Sequence, residues 1–256
     1  QAVGADNWPL QERALERIER ARTQGMDVAF DCYPYIAGST VLTLLLPQWV
    51  LGGGLEAMLA RLADPAERAR IARETVVVQG WRNILISAVG SEANAHLVGR
   101  NMEEIATERG KQPVEVAMDL LIEERGDVNV LEYNQSEENL RRILTHPLSC
   151  IVSDGFYVKG RPHPRLHGAF ACMLGEYCRR RGWLELPEAL RKMTDLPARR
   201  FGLERRGRLM RGWYADIAVF DPERVASPAT YDNPQLDPVG IRHVFRNGQA
   251  LVGGPA

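Results

Sequence analysis

The chain has 256 residues, of which 45% are hydrophobic and 25% charged, and its formal net charge is −1. This balance is typical of a globular protein with one large or two smaller domains, and it shows no basic surplus that would favour a nucleic-acid partner. The longest apolar stretch, residues 40–46, is far shorter than the roughly 20 residues of a membrane span. We therefore expect neither nucleic acid nor a membrane as a partner.

The cysteines and the first residue bear on the compartment. Cys32, Cys150, Cys172 and Cys178 show no C-x-x-C spacing, which favours a reduced, cytoplasmic chain. The chain starts at Gln1 without the charged and apolar segments of a signal peptide. This start leaves an engineered segment, proteolysis or a natural truncation open.

The chain begins with a predicted helix and strand. The helix, residues 10–22, has one apolar face and ends before Gly25, a favourable stop. Residues 26–33 form a predicted strand that ends in polar groups. A helix followed by such a strand is typical of α/β folds.

Residues 40–127 interrupt this alternation. Helices are predicted at 55–62, 65–74, 102–109 and 114–124, with short strands at 75–78 and 84–86. Three glycines at 52–54 indicate a flexible connection. We interpret this block as an insertion that covers another part of the molecule, for example as a lid.

The alternation resumes with a predicted strand at 128–133. Ser136 is the predicted N-cap of a helix at 137–144, and a strand at 148–153 leads to Asp154 and Gly155. A loop rich in Pro, Arg and His continues to Gly168. Helices are predicted next, at 169–181, 187–193 and 197–201.

From Gly207 onward the pattern predicts only strands. They lie at 208–210, 215–222, 241–245 and 249–252, and Asn247-Gly248 predicts a hairpin between the last two. A boundary near Arg205 would separate residues 1–205 from a small β-rich domain at 206–256.

Asp154 is the first candidate for chemistry. Parallel α/β barrels place catalytic groups at the carboxyl ends of their strands, where Asp154 is predicted to lie. The alternative is an ordinary turn, because Asp-Gly is a common turn pair. The following basic loop is stiffened by prolines, and Arg165 within it suits a carboxylate or phosphate ligand. A solvated basic loop is the alternative reading.

Histidines and tyrosines supply the other candidates. His163 and His167 are four residues apart, but prolines at 162 and 164 argue against a helix there, so this pair is not favoured as a metal site. Tyr33 and Tyr35 bracket a proline, and Ser39 follows in a turn. Their hydroxyls can hydrogen-bond an anionic substrate, although packing tyrosines and a loop serine explain the same pattern.

Four motifs occur in one order along the chain. They are Asp31-Cys32-Tyr33-Pro34-Tyr35 with Ala37-Gly38-Ser39-Thr40, Ser153-Asp154-Gly155 followed by His163-Pro164-Arg165, Lys192-Met193-Thr194 with Leu196-Pro197-Ala198 and Phe201-Gly202-Leu203, and Ala215-Asp216-Ile217 with Val219-Phe220-Asp221-Pro222. The first three resemble N-acyl-D-amino-acid deacylases, also called D-aminoacylases. The last is common to the wider metal-dependent amidohydrolase superfamily.

The resemblance implies an α/β fold that is the C-terminal part of a metal-dependent (β/α)8 barrel. Residues 26–33 would be a late barrel strand and 148–154 the last one. Residues 40–127 would form an inserted α+β lid, and the C-terminal segment a small β-domain. The implied activity is hydrolysis of a non-peptide amide bond, which releases a D-amino acid and a carboxylate from an N-acyl-D-amino acid.

The resemblance also implies residue roles. Asp154 would lie beside the metal, which is zinc in the complete protein, and would shuttle a proton to the leaving amine. Arg165 would bind the α-carboxylate of the substrate, and Tyr33 and Ser39 would add hydrogen bonds.

The family's histidine and bridging ligands precede the segment that this chain resembles. Asp154 is then the only ligand-type residue left, whereas a catalytic zinc needs about three protein ligands. We therefore expect this chain to bind no zinc at the catalytic site and to be inactive alone. Exposed sheet edges would favour association with a second copy or with the missing half. A cyclic-amide hydrolase of the hydantoinase or dihydroorotase type, or a non-catalytic fragment or assembly module, are the alternatives.

Overall fold

A computed structural model describes residues 2–252. Within this range the α-helices are α1 Leu10–Thr23, α2 Gly54–Ala63, α3 Pro65–Glu74, α4 Met102–Arg109, α5 Pro113–Glu123, α6 Glu137–Thr145, α7 Arg165–Cys172, α8 Leu186–Met193 and α9 Asp195–Arg200. The strands are β1 Phe30–Cys32, β2 Ala37–Val41, β3 Ile84–Val89, β4 Val128–Tyr133, β5 Ser149–Ile151, β6 Ile217–Phe220, β7 Ile241–Arg246 and β8 Gln249–Val252. No helix in the described range is long and apolar enough to cross a membrane.

Strands β1 and β5 form a parallel pair, as expected for adjacent strands of an α/β barrel. Phe30 lies opposite Ser149, and Cys32 lies opposite Ile151. Both strands occur where the sequence predicts them, but each is only three residues long. In the described range each of these two strands pairs only with the other, so the parallel sheet consists of two strands.

Helix α6 covers this parallel pair. Ser136 caps its first turn by accepting a hydrogen bond from the backbone N–H of Asn139 at 3.3 Å, which confirms the predicted cap. Leu140, Ile143 and Leu144 point into a core shared with β5 and the helices that follow it. Their spacing is the apolar stripe that fixes which face of α6 is buried.

A second sheet belongs to the inserted segment and has the antiparallel order β2-β4-β3. Ala37 lies opposite Tyr133, and Ile84 pairs with Glu132 on the other side of β4. The expectation that the barrel alternation resumes at residue 128 is therefore wrong, because β4 is the central strand of the inserted sheet. Buried strands of both kinds have similar apolar patterns, and periodicity does not identify a strand's neighbour.

Helices α2 to α5 pack on this sheet and agree with the predicted helices to within two residues. Asn101 and Glu104 form a reciprocal capping box at the start of α4, which explains its sharp N-terminus. Gly53 has a φ of 85° and caps α2, while Gly54 starts that helix. These glycines therefore lead directly into a helix instead of forming the expected flexible connection.

The predicted strand at 75–78 is also wrong. Thr75 ends α3, with its N–H bonded to the carbonyl of Ile71, and Val76 is 75% exposed. Because no strand between residues 2 and 252 pairs with this run, its β-branched residues remain in a loop.

The segment after β5 differs from the prediction at one important point. Helix α7 begins at Arg165, directly after Pro164, and continues as a π-helix over Met173–Arg180. The predicted loop therefore ends before Gly168. A proline has no N–H to lose at a helix start, so Pro164 initiates the helix and does not prevent it.

The C-terminal sheet has the antiparallel order β6-β7-β8. Asn247 (φ 51°) and Gly248 (φ 81°) form the predicted hairpin turn. The predicted strand at 208–210 is wrong: Leu209 is 79% exposed and pairs with no strand in the described part of the chain. The domain boundary near Arg205 remains a prediction.

Candidate active site

Asp154 lies just beyond the carboxyl end of β5. Its φ of 47° is in the left-handed region, which aspartate tolerates better than most residues. Its side chain is 59% exposed. The backbone leading to it is fixed, because the N–H of Val152 donates to the carbonyl of Cys32 in β1 at 3.1 Å. The parallel pair thus presents this carboxylate to solvent at one end of the sheet.

Arg165 brings a buried cation to the same place. The residue is 3% exposed, and its Nη2 lies 2.9 Å from Oδ2 of Asp154. Its Nε is buried and has no hydrogen-bond partner among the described residues. A guanidinium has five N–H donors in one plane, so Arg165 retains donors for a further anion.

Tyr33, which directly follows β1, forms one wall beside this cation. The Arg165 guanidinium carbon lies 4.4 Å from the centroid of the Tyr33 ring, and Phe156 contributes a second ring at 5.8 Å. The Tyr33 hydroxyl accepts a hydrogen bond from Nε2 of Gln135 at 2.6 Å. Burial raises the pKa of Tyr33, so its hydroxyl keeps its proton at neutral pH and can donate it.

His163 connects Arg165 to the inserted sheet. Its Nε2 lies 3.0 Å from the carbonyl oxygen of Ala37, and its Nδ1 accepts a hydrogen bond from the backbone N–H of Arg165 at 3.0 Å. A carbonyl only accepts, so the imidazole proton is on Nε2. Burial, together with the charge of Arg165, lowers the pKa of His163 to about 3 and keeps the ring neutral.

This arrangement gives His163 a structural role instead of a metal-binding one. Both of its ring nitrogens are engaged, while His167 lies within α7. The spacing of His163 and His167 raises only the question of a metal site and gives no sign of the contact between His163 and Ala37. Gln135 was missed as well, because its partner Tyr33 lies 102 residues away in the chain and no local pattern joins the two.

The structure brings together Asp154, Arg165 and Tyr33, three of the four predicted site residues. Asp154 and Tyr33 line one open cleft of about 480 Å³ together with Val3 and Val152. Ser39 lies in β2 opposite Leu131, and within residues 2–252 no hydrogen bond joins it to the other three. Its predicted contact with substrate stays a prediction.

The donors in this part of the chain do not make a zinc site by themselves. Within residues 2–252 no group of three or more His, Cys, Asp or Glu residues converges as a metal site would require. Asp154 instead pairs with Arg165. The described residues thus fit one carboxylate and an anion-binding group, but not a complete metal centre.

Comparison with protein families decides the wider assignment. A family model described as "Amidohydrolase family" matches residues 6–252 of this chain. The chain belongs to the amidohydrolase family. It is similar to an N-acyl-D-glutamate deacylase of Alcaligenes xylosoxydans xylosoxydans, with 36% identity over 96% of this chain and 42% of the relative. A D-aminoacylase of the same organism is 34% identical over 96% of this chain and 43% of the relative.

Solved structures show the same relationship. The N-acyl-D-glutamate deacylase from Bordetella bronchiseptica, complexed with zinc and a phosphonate inhibitor, superposes with a TM-score of 0.78 and 32% identity over 99% of this chain and 46% of that one. A crystal structure of D-aminoacylase gives a TM-score of 0.75 and 34% identity over 98% of this chain and 45% of that one. This amidohydrolase chain therefore spans less than half the length of the relatives that it matches.

Proposed function

We propose that this amidohydrolase chain forms the carboxylate-binding and proton-transfer part of an N-acyl-D-amino-acid deacylase. The observation that carries the proposal is the group of Asp154, Arg165 and Tyr33 at the carboxyl ends of β1 and β5. The deacylases named above share about a third of its residues, which supports the same class of substrate.

Arg165 is suited to the α-carboxylate of such a substrate. Its guanidinium is buried, held against Tyr33 and left with an unpaired Nε. A carboxylate that approaches in the plane of the guanidinium can accept two parallel hydrogen bonds from it. The protonated hydroxyl of Tyr33 supplies another donor from the side.

Asp154 is suited to move a proton. Its carboxylate faces the open cleft that Tyr33 also lines. In amide hydrolysis a carboxylate takes the proton of the attacking water and gives it to the leaving nitrogen. Arg165 lies 2.9 Å from the same carboxylate, so the substrate's anionic end would be held next to the group that transfers the proton.

A zinc ion such as the one in the Bordetella relative would need ligands beyond those in residues 2–252. We propose that zinc serves the complete enzyme and that its other ligands lie outside the described residues.

The test is turnover by the protein in its full natural length. We expect deacylation of N-acetyl-D-amino acids, little activity on the L-enantiomers and none on cyclic amides such as hydantoin. Asp154→Asn should lower kcat by about 10²- to 10⁴-fold, the usual contribution of a general acid–base. Asp237→Asn is the matched control, because Asp237 is exposed and distant in sequence.

Cyclic-amide turnover would favour a hydantoinase-type enzyme. A protein inert on every amide would favour a non-catalytic module. Unchanged kcat in the Asp154→Asn protein would refute the role given to this carboxylate.

A further inference from the structure

We propose that Gln135 is a positioning residue that turns the Tyr33 hydroxyl so that its proton is donated to the anion bound by Arg165. This inference rests on the proposed function, because it concerns how the same site recognises a carboxylate. It adds a residue from the segment just after β4 to a site otherwise built at the ends of the parallel strands.

The first step is the polarity of one hydrogen bond. Nε2 of Gln135 lies 2.6 Å from the phenolic oxygen of Tyr33, and an amide nitrogen only donates. Tyr33 therefore accepts from Gln135 and must point its own proton elsewhere. Among the described residues no acceptor receives that proton, so the O–H of Tyr33 is left for a ligand.

The second step is rigidity, because a positioning group must itself be held. Gln135 is 8% exposed, and its backbone N–H donates to the carbonyl of Ile36 at 3.2 Å. The preceding carbonyl, that of Asn134, accepts from Gly4 N–H at 2.8 Å and from Nε1 of Trp8 at 3.1 Å. The chain just after β4 is thus fixed from both sides.

The third step is the identity of the donor to Tyr33. Oε1 of Gln135 and Oδ1 of Asn134 are buried and accept no hydrogen bond from the described residues, and Nδ2 of Asn134 is committed to Glu132 at 2.7 Å. Gly38 lies beside both groups, since a Cβ there would be in ordinary van der Waals contact, 3.8 Å from the Tyr33 oxygen and 3.9 Å from the Asn134 amide. Among the described residues, the Gln135 amide is the group that donates to Tyr33.

Three variants separate this role from simple packing. Gln135→Met keeps the side-chain length but removes the donor. Gln135→Glu keeps the shape but offers an acceptor, which would draw the Tyr33 proton away from the ligand. Tyr33→Phe removes the hydroxyl and provides the background in which any effect transmitted through that hydroxyl should vanish.

The probe is 4-methylpentanoate, a carboxylate with no amide bond, compared with neutral 4-methylpentanamide. Calorimetric Kd values would be measured with the full-length protein, and thermal unfolding would verify that each variant is folded. Gln135→Glu should weaken carboxylate binding by about 10- to 100-fold, in line with one hydrogen bond to a charged group, and should leave amide binding unchanged. Gln135→Met should weaken carboxylate binding less.

The decisive comparison uses the Tyr33→Phe protein. There, Gln135→Glu should weaken carboxylate binding at least about fivefold less than it does when Tyr33 is present, because only charge repulsion remains. An equal effect in both backgrounds would overturn the proposal. Carboxylate binding by Gln135→Glu as tight as that of the Met variant would also overturn it, since drawing the Tyr33 proton toward residue 135 would then cost no carboxylate affinity.

The failure of the proposed function looks different. If the protein hydrolyses no N-acyl-D-amino acid but shows the Kd pattern above, the deacylase assignment falls and the role of Gln135 stands. If the wild-type protein binds 4-methylpentanoate no better than the amide, the anion site does not exist and the role of Gln135 falls with it.

Discussion

Replacing His163 with glutamine tests how the site is held together. The imidazole is 4% exposed and links the carbonyl of Ala37 to the backbone N–H of Arg165. Glutamine removes titration at this position while keeping a donor and an acceptor on one side chain. At pH 7 the variant should be less stable by about 1–3 kcal/mol, the usual cost of a poorly satisfied buried hydrogen bond.

The dependence on pH gives the sharper result. The pKa of His163 is about 3 in the folded protein, against 6.5 for the free side chain, because burial disfavours the charged ring. Between these values the unfolded chain binds more protons than the folded chain, so wild-type stability falls as the pH falls. Each pH unit within this window is worth about 1.4 kcal/mol, so acidification from pH 6.5 to pH 4 removes about 3 kcal/mol.

The assay is urea unfolding of the wild type and the variant at several pH values. The wild-type advantage at pH 7 should shrink by about 3 kcal/mol and disappear near pH 4. His96→Gln is the matched control, since His96 is exposed and its replacement should leave the stability at pH 7 close to that of the wild type. A difference between wild type and His163→Gln that stays constant from pH 7 to pH 4 would refute the buried, neutral imidazole.

Three further substitutions have defined outcomes. Lys192→Met should destabilise the protein by about 2–4 kcal/mol in urea unfolding, because the fully buried ammonium donates to both oxygens of Ser149 and its loss leaves a buried carbonyl unpaired. Burial also lowers the pKa of Lys192 to about 8, so the stability of the wild type relative to this variant should rise above that pH, and a flat profile would contradict the burial. Gly168→Ala should lower Tm by several degrees even though alanine favours helices, since the added methyl would lie 2.9 Å from the Tyr35 hydroxyl. An unchanged Tm would contradict this and would show that α7 can shift. Ser39→Ala tests the predicted contact of Ser39 with substrate: it should raise KM for N-acetyl-D-leucine by about 2- to 12-fold, the loss of one neutral hydrogen bond, and an unchanged KM would refute that contact.

Local signals in the sequence were enough to predict most single elements. The stripe of Leu140, Ile143 and Leu144, with Ser136 before it, defines α6 from its cap to its last turn. Asn247-Gly248 likewise defines the last hairpin. In both cases the residues that determine the structure are neighbours in the chain, so no knowledge of distant contacts is needed.

Pairing between distant segments explains most of the errors. The apolar run of β4 is compatible with either the barrel sheet or the inserted sheet. Only its pairing with Ala37 and Ile84 shows that it belongs to the inserted sheet. The runs at 75–78 and 208–210 have strand-forming residues, but among the residues that the structure describes neither run has a partner strand. Propensity describes what a segment tolerates, and the presence of a neighbour decides whether a strand forms.

The candidate site shows the same division. The motifs that resemble deacylases single out Asp154, Arg165 and Tyr33, and the fold brings these three together. The residues that hold them, His163 and Gln135, act through contacts between segments about 100 residues or more apart. No local pattern encodes such contacts, so the sequence could not assign these two roles.

The central claim is that Arg165 receives the carboxylate of an N-acyl-D-amino acid, and Arg165→Met tests it most directly. The measurement is kcat/KM of the full-length enzyme for N-acetyl-D-leucine and for its neutral amide, N-acetyl-D-leucinamide. We predict a loss of at least about 100-fold for the acid and a much smaller change for the amide, because a bidentate charge-assisted pair is lost only with the acid. An equal loss for both substrates, or no loss for the acid, would contradict the account.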